Sequence, residues 1–126
     1  MPLLQVKALP QNDPTKIQPA LKAACAAVAK AYGCETSNVW ANWVDIKPGH
    51  YVEGDHAAFM QPEKHHPPIA ELICFEGKSQ EVIEACLLAF SGALTEGLGI
   101  PDNIFLTYTE AKSGRTVSGN GKIRRA

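Results

Sequence analysis

The sequence predicts an α/β chain of the α+β kind: a duplicated β-α-β unit with short hairpins, forming a four-stranded mixed sheet with two helices on one face. Three observations carry this. A strand pattern opening on a proline, Pro2-Leu3-Leu4-Gln5-Val6-Lys7-Ala8-Leu9, lies over Pro68-Ile69-Ala70-Glu71-Leu72-Ile73-Cys74-Phe75. An apolar helical period follows each copy and stops at a glycine, Gly33 or Gly99. A second β-rich stretch and a glycine-bearing turn then close each copy.

The elements follow in order. Leu4, Val6 and Ala8 alternate with Leu3, Gln5 and Lys7, the period of a strand with one buried face. Pro2 has no N–H, so it suits the start of a strand and not its interior. Asp13 and Ser79 occupy matching places as N-caps, and Pro14 fits a first helical turn. Ile17, Leu21, Ala24, Val28 and Ala31 recur at helical spacing and match Ile83, Leu87, Phe90, Leu94 and Gly97. One extra loop residue, Ser37, then shifts the register by one. Asn38 to Asp45 lies over Asn103 to Glu110, and Lys47 to Gly54 lies over Lys112 to Gly119. Each pair of strands encloses a helix, as a parallel crossover requires.

The 126 residues read as a single domain of two repeats, 2–54 and 68–121, joined by a linker over 55–67. His65-His66 in that linker has no further ligand at metal spacing, so a solvated linker is expected, with no metal and no cofactor. A net charge of −1 gives no general attraction to nucleic acid or anionic membrane. No apolar run approaches a membrane span, and the N-terminal stretch is not a signal peptide. Cys25, Cys34, Cys74 and Cys86 show no C-x-x-C spacing, which reads as reduced thiols in a cytoplasmic protein. Both faces of the strands are apolar while helices cover only one, which implies oligomerisation that buries Trp43, Tyr108 or their neighbours between subunits.

These residues resemble the tautomerase superfamily. Pro68-Ile69-Ala70, the turn Glu76-Gly77-Lys78-Ser79 and the tail around Lys122-Ile123-Arg124-Arg125 are similar to its 4-oxalocrotonate tautomerase branch. So is Gly49-His50-Tyr51, whereas Gly99-Ile100-Pro101-Asp102-Asn103-Ile104 looks like the macrophage migration inhibitory factor branch. The resemblance implies a homotrimer, a small acidic substrate and one working amine. Pro68 is an internal amide, so that amine is Pro2, freed by removal of Met1; with Met1 attached its nitrogen is an amide too.

The chemistry implied is proton transfer beside a carbonyl, which needs a base neutral near pH 7 and donors for a carboxylate and an enolate. By resemblance Lys78 stands at a carboxylate-gripping arginine position, with a solvated turn residue as the alternative. Phe105 and Thr107 match pocket positions of the inhibitory-factor branch, Phe105 and Trp40 being alternatively trimer-core aromatics. Asn38, a further substrate-binding candidate, takes an aspartate position and Glu76 an arginine position of the malonate semialdehyde decarboxylase branch, and Ser118 stands near a dehalogenase glutamate. Decarboxylase and dehalogenase activities are therefore not expected. Arg115, Lys122, Arg124 and Arg125 read as surface charge or as substitute anchors. The expected function is a tautomerase using Pro2 as general acid–base; the alternative is a catalytically silent trimeric scaffold.

Overall fold

The computed structural model describes residues 2–125; Met1, on whose removal the Pro2 reading depends, lies outside them. The central sheet contains β1 (Leu3–Ala8), β2 (Trp40–Asp45), β5 (Ile69–Phe75) and β6 (Phe105–Ala111) in the order β2-β1-β5-β6. Each β-α-β unit forms a parallel pair, β1 with β2 and β5 with β6. The units join antiparallel at β1 and β5, where Gln5 faces Glu71. Leu3 pairs with Trp40 and Ile69 with Phe105, so the two parallel registers are the same once the extra residue is allowed for.

Helix α1 (Ile17–Tyr32) and helix α2 (Gln80–Leu98) cover one face. Asp13 caps a short 3-10 turn, Pro14–Lys16, that leads into α1, and the Ser79 hydroxyl accepts the Val82 N–H at the start of α2. Both helices end on glycine in the left-handed region, Gly33 at φ 87° and Gly99 at φ 70°. Leu4, Val6, Ala70 and Leu72 from the sheet meet Ala24, Val28, Phe90 and Leu94 from the helices. Full burial of a side chain such as Phe90 contributes about 2–3 kcal/mol. The helices approach closely at one point. A Cβ placed on Gly97 would lie 2.8 Å from the Ala20 Cβ and 2.9 Å from its Cα.

Two expectations are corrected here. Trp43 and Tyr108 do not face outward: they lie on the helix side and pack against the intramolecular core. Trp40 and Trp43 are three residues apart, so a period of two puts them on opposite faces. The open face instead shows Trp40, Val44, Ile69 and Phe105, with Trp40 52% and Phe105 60% exposed. Residues 55–67 are likewise not a solvated linker throughout. Strand β3 (Tyr51–Glu53) pairs with β4 (His56–Ala58), and Gln61 and His66 beyond it are buried. The Gln61 side chain accepts from Gln11 at 2.6 Å and donates to the His66 carbonyl at 3.2 Å. The second hairpin, β7 (Thr116–Ser118) with β8 (Lys122–Arg124), follows the other unit. No helix of the described residues is long and apolar enough to cross a membrane.

Candidate active site

Pro2 enters β1 fully buried, and its carbonyl accepts the Trp40 N–H at 3.0 Å. Because Leu3 pairs with Ile73, the next step of the register sets Pro2 beside Cys74. A strand held on both sides, by β2 and β5, fixes this residue far better than a loop could.

The same end of the sheet collects several functional groups. Lys78, just past β5, donates from Nζ to the Tyr32 carbonyl at 3.2 Å and stands 4.3 Å over the Tyr32 ring. This contact ties the turn before α2 to the last residue of α1 and presents a cation there. The Tyr108 hydroxyl is buried beside the Cys74 thiol without a well-formed hydrogen bond to anything among the described residues. Burial, then the neighbouring Cys74, raises its pKa far above the ordinary phenol range, so it remains a donor. Burial likewise pushes the Cys86 thiol up to about 11. It also raises Cys74, with the Tyr108 hydroxyl pulling the other way. These are neutral, unreactive thiols.

Asn38 closes the 3-10 turn Thr36–Asn38 after α1, exposed, two residues before the Trp40 amide that holds Pro2. Thus Pro2, Lys78 and Asn38 share one end of the molecule. Phe105 and Thr107 do not join them within a single chain. They begin β6 on the open face, lining a shallow cavity of about 250 Å³ with Gln5, Lys7, Ile69 and Glu71. Ile69, the partner of Phe105, also pairs with Lys7, five residues from Pro2, or about 16 Å along a strand. Glu76 accepts the Ser113 N–H at 2.8 Å, and Ser118 accepts from Arg124 Nε at 2.9 Å.

The repeat provides an internal control. The Pro68 carbonyl accepts the Phe105 N–H at 2.9 Å, as Pro2 accepts that of Trp40. Around Pro68, however, the counterparts are plain: Ala8 for Cys74, Leu98 for Tyr32, Asn12 for Lys78 and Trp43 for Tyr108. The Trp43 indole N–H is already committed to Asp45 at 2.7 Å. Cys74, Tyr32 and Tyr108 were not assigned to the site from sequence (Tyr108 was expected at a subunit interface), although the repeat alignment, which sets Cys74 over Ala8 and Tyr108 over Trp43, held the signal.

No protein-family model and no curated protein sequence matches the chain. Solved structures do. The symmetric trimer of a wild-type fused 4-OT aligns with a TM-score of 0.82 at 18% identity, over 96% of this chain and 94% of that one. Pt0534 inactivated by 2-oxo-3-pentynoate gives 0.83 at 18% identity, over the same shares of 96% and 94%. Macrophage migration inhibitory factor from Toxoplasma gondii gives 0.72 at 20% identity, over 94% of this chain and 96% of that one. At these identities the likeness is one of fold: the chain shares the two-unit β-α-β architecture of the fused 4-OT structures.

Proposed function

We propose that the chain is a tautomerase or isomerase that moves a proton within a small 2-oxo or enol carboxylate. Pro2 is the general acid–base, once removal of Met1 leaves its nitrogen a secondary amine. The observation that carries this reading is the asymmetry of the repeat. Of two equivalent prolines, Pro2 has Lys78, Tyr32, Tyr108 and Cys74 at its end of the sheet, where the repeat mates at the Pro68 end are Asn12, Leu98, Trp43 and Ala8. A free secondary amine is ordinarily too basic to act near neutrality. Burial and the nearby Lys78 cation both favour its neutral form. The neutral amine takes a proton beside the substrate carbonyl, and the charge that develops on oxygen needs donors. Lys78 and Asn38 supply a cation and an amide for the carboxylate and the enolate.

The open face of Trp40, Val44, Ile69 and Phe105 supports a homotrimer, the assembly of the wild-type fused 4-OT. In that assembly Phe105 and Thr107 of a neighbouring subunit complete the pocket. Four free thiols support a cytoplasmic setting. One observation favours a second reading, a catalytically silent scaffold: the Lys78 ammonium is already engaged with the Tyr32 carbonyl and ring.

The test uses 2-oxo-3-pentynoate, whose triple bond is conjugated to its ketone. A neutral Pro2 amine adds to the far alkyne carbon and a proton goes to the carbon beside the ketone. Mass spectrometry of protein beginning at Pro2 should place a single adduct on the N-terminal peptide. An unmodified N-terminus after prolonged exposure would remove the base from the proposal.

A further inference from the structure

Remote from Pro2, the hairpin β3/β4 and the segment after it hold a second group of titratable side chains. The His66 ring is 5% exposed and stands edge-on to Tyr51, with centroids 5.1 Å apart at 76°. Its Nε2 lies 2.7 Å from the His56 carbonyl oxygen. A carbonyl only accepts, so Nε2 carries a proton, and in the neutral ring Nδ1 is a bare lone pair. That Nδ1 is buried without a hydrogen-bond partner, and it stands 3.7 Å from Glu53 Oε2. A lone pair set against a carboxylate is a mismatch that one added proton removes. As imidazolium the ring donates from both nitrogens, to His56 and to Glu53.

We propose that Glu53 and His66 form a proton-operated clasp, which fastens residues 61–67 to the hairpin when His66 is charged and releases them when it is neutral. Carboxylates dominate the surroundings of the ring. His65 Nδ1 also lies 3.7 Å from Glu53 Oε2, but its ring is 63% exposed and can turn away. His56 is occupied by Asp55 at 2.8 Å, out at the hairpin turn. Glu63 adds a second carboxylate to the cavity of about 420 Å³ that Glu53, His65 and His66 line, and no lysine or arginine lines it. Tyr51, raised by its burial, stays a neutral phenol.

What the clasp fastens is specific. The Asn12 N–H donates to the Gln61 carbonyl at 2.7 Å, the Gln61 N–H to the Pro10 carbonyl at 2.9 Å, and the Tyr51 hydroxyl to the Pro67 carbonyl at 2.6 Å. His66 itself sits at φ 59°, in the left-handed region that few residues other than glycine adopt. Releasing it loosens the chain that leads into Pro68 and β5.

The test is carried out on the full chain between pH 5.5 and 8.5, reading imidazole nitrogen shifts by NMR and amide exchange at Asn12 and Gln61. As pH rises, His66 should pass from imidazolium to the Nε2–H tautomer. Over the same interval, protection of the two amides, corrected for intrinsic rates, should fall by about tenfold. Glu53→Gln should flatten that change, whereas His65→Gln should leave it. A neutral Nδ1–H tautomer, protection that ignores the His66 titration, or a pH response that survives Glu53→Gln would each overturn the clasp. So would its loss in His65→Gln. The wild-type titration decides the matter even where a variant fails to fold.

Discussion

Gln5 and Glu71 face each other across the antiparallel seam of β1 and β5, and each is the other's counterpart in the repeat. A local two-fold therefore passes between them, and, Ser37 apart, each aligned position of one unit has a mate in the other. Differences between mates then separate what the fold needs from what one site needs. The prolines that open β1 and β5 are kept in both units as strand starts. Cys74, Tyr108 and Lys78 have no polar echo of the same kind and belong to one end only.

The close approach of the helices at Gly97 and Ala20 yields a stability prediction. The missing Cβ of Gly97 lets α1 and α2 meet at Ala20, where backbone atoms stand in the way of any substituent. Gly97→Ala gains helix propensity but forces the helices apart. We expect a net loss of about 1–3 kcal/mol, read from denaturant unfolding. A variant as stable as the parent would show that the helices are free to separate.

Assembly should depend on the open face and not on the residues beneath the helices. Trp40→Glu with Phe105→Glu places two charges on that face and should yield a folded monomer by sedimentation equilibrium. A trimer that persisted with both charges would locate the interface elsewhere.

The buried thiols make a prediction about alkali. Cys86 is raised by burial from an ordinary value near 9 to about 11 in the folded chain. The unfolded thiol ionises first, so this stability is fully present below about pH 9 and is lost as pH rises towards 11. Cys74 and Cys86 should resist iodoacetamide in native protein at pH 8 and react once the chain is unfolded. Labelling of Cys86 at the native rate of half-exposed Cys34 would contradict their placement.

Lys78 has two roles that kinetics can separate. Lys78→Ala removes the tie to Tyr32, and it removes the proposed carboxylate anchor. An anchor is worth about 2–3 kcal/mol in kcat/KM for an acidic substrate. Loss of stability with unchanged kcat/KM would leave Lys78 as a brace alone.

The repeat, the parallel crossovers, the Ser79 cap and both glycine helix stops were legible in the sequence, because proline, glycine and apolar period act locally; the returning hairpin strands β4 and β8, beyond Gly54 and Gly119, were not. Facing was harder. Trp43 and Tyr108 look as suited to an interface as Trp40 and Phe105, and only the strand register assigns them to opposite sides. The burial of Gln61 and His66 was also hidden. It depends on contacts with Gln11 and His56 that no local pattern encodes. At the site, Pro2 was evident as a strand start, while Tyr32 and Tyr108 reach it only through tertiary packing.

Proton transfer by Pro2 requires a free nitrogen, and one comparison tests that directly. Steady-state turnover of an enol acid such as phenylenolpyruvate is measured for protein beginning at Pro2 and for protein retaining Met1. Circular dichroism and sedimentation confirm that both are folded and equally assembled. The form beginning at Pro2 should turn over substrate, with kcat/KM rising as its amine loses a proton. The Met1 form, whose Pro2 nitrogen is an amide, should be inactive. Equal turnover by the two forms would contradict Pro2 as the base, and inactivity of both across enol and 2-oxo acids would leave the silent scaffold.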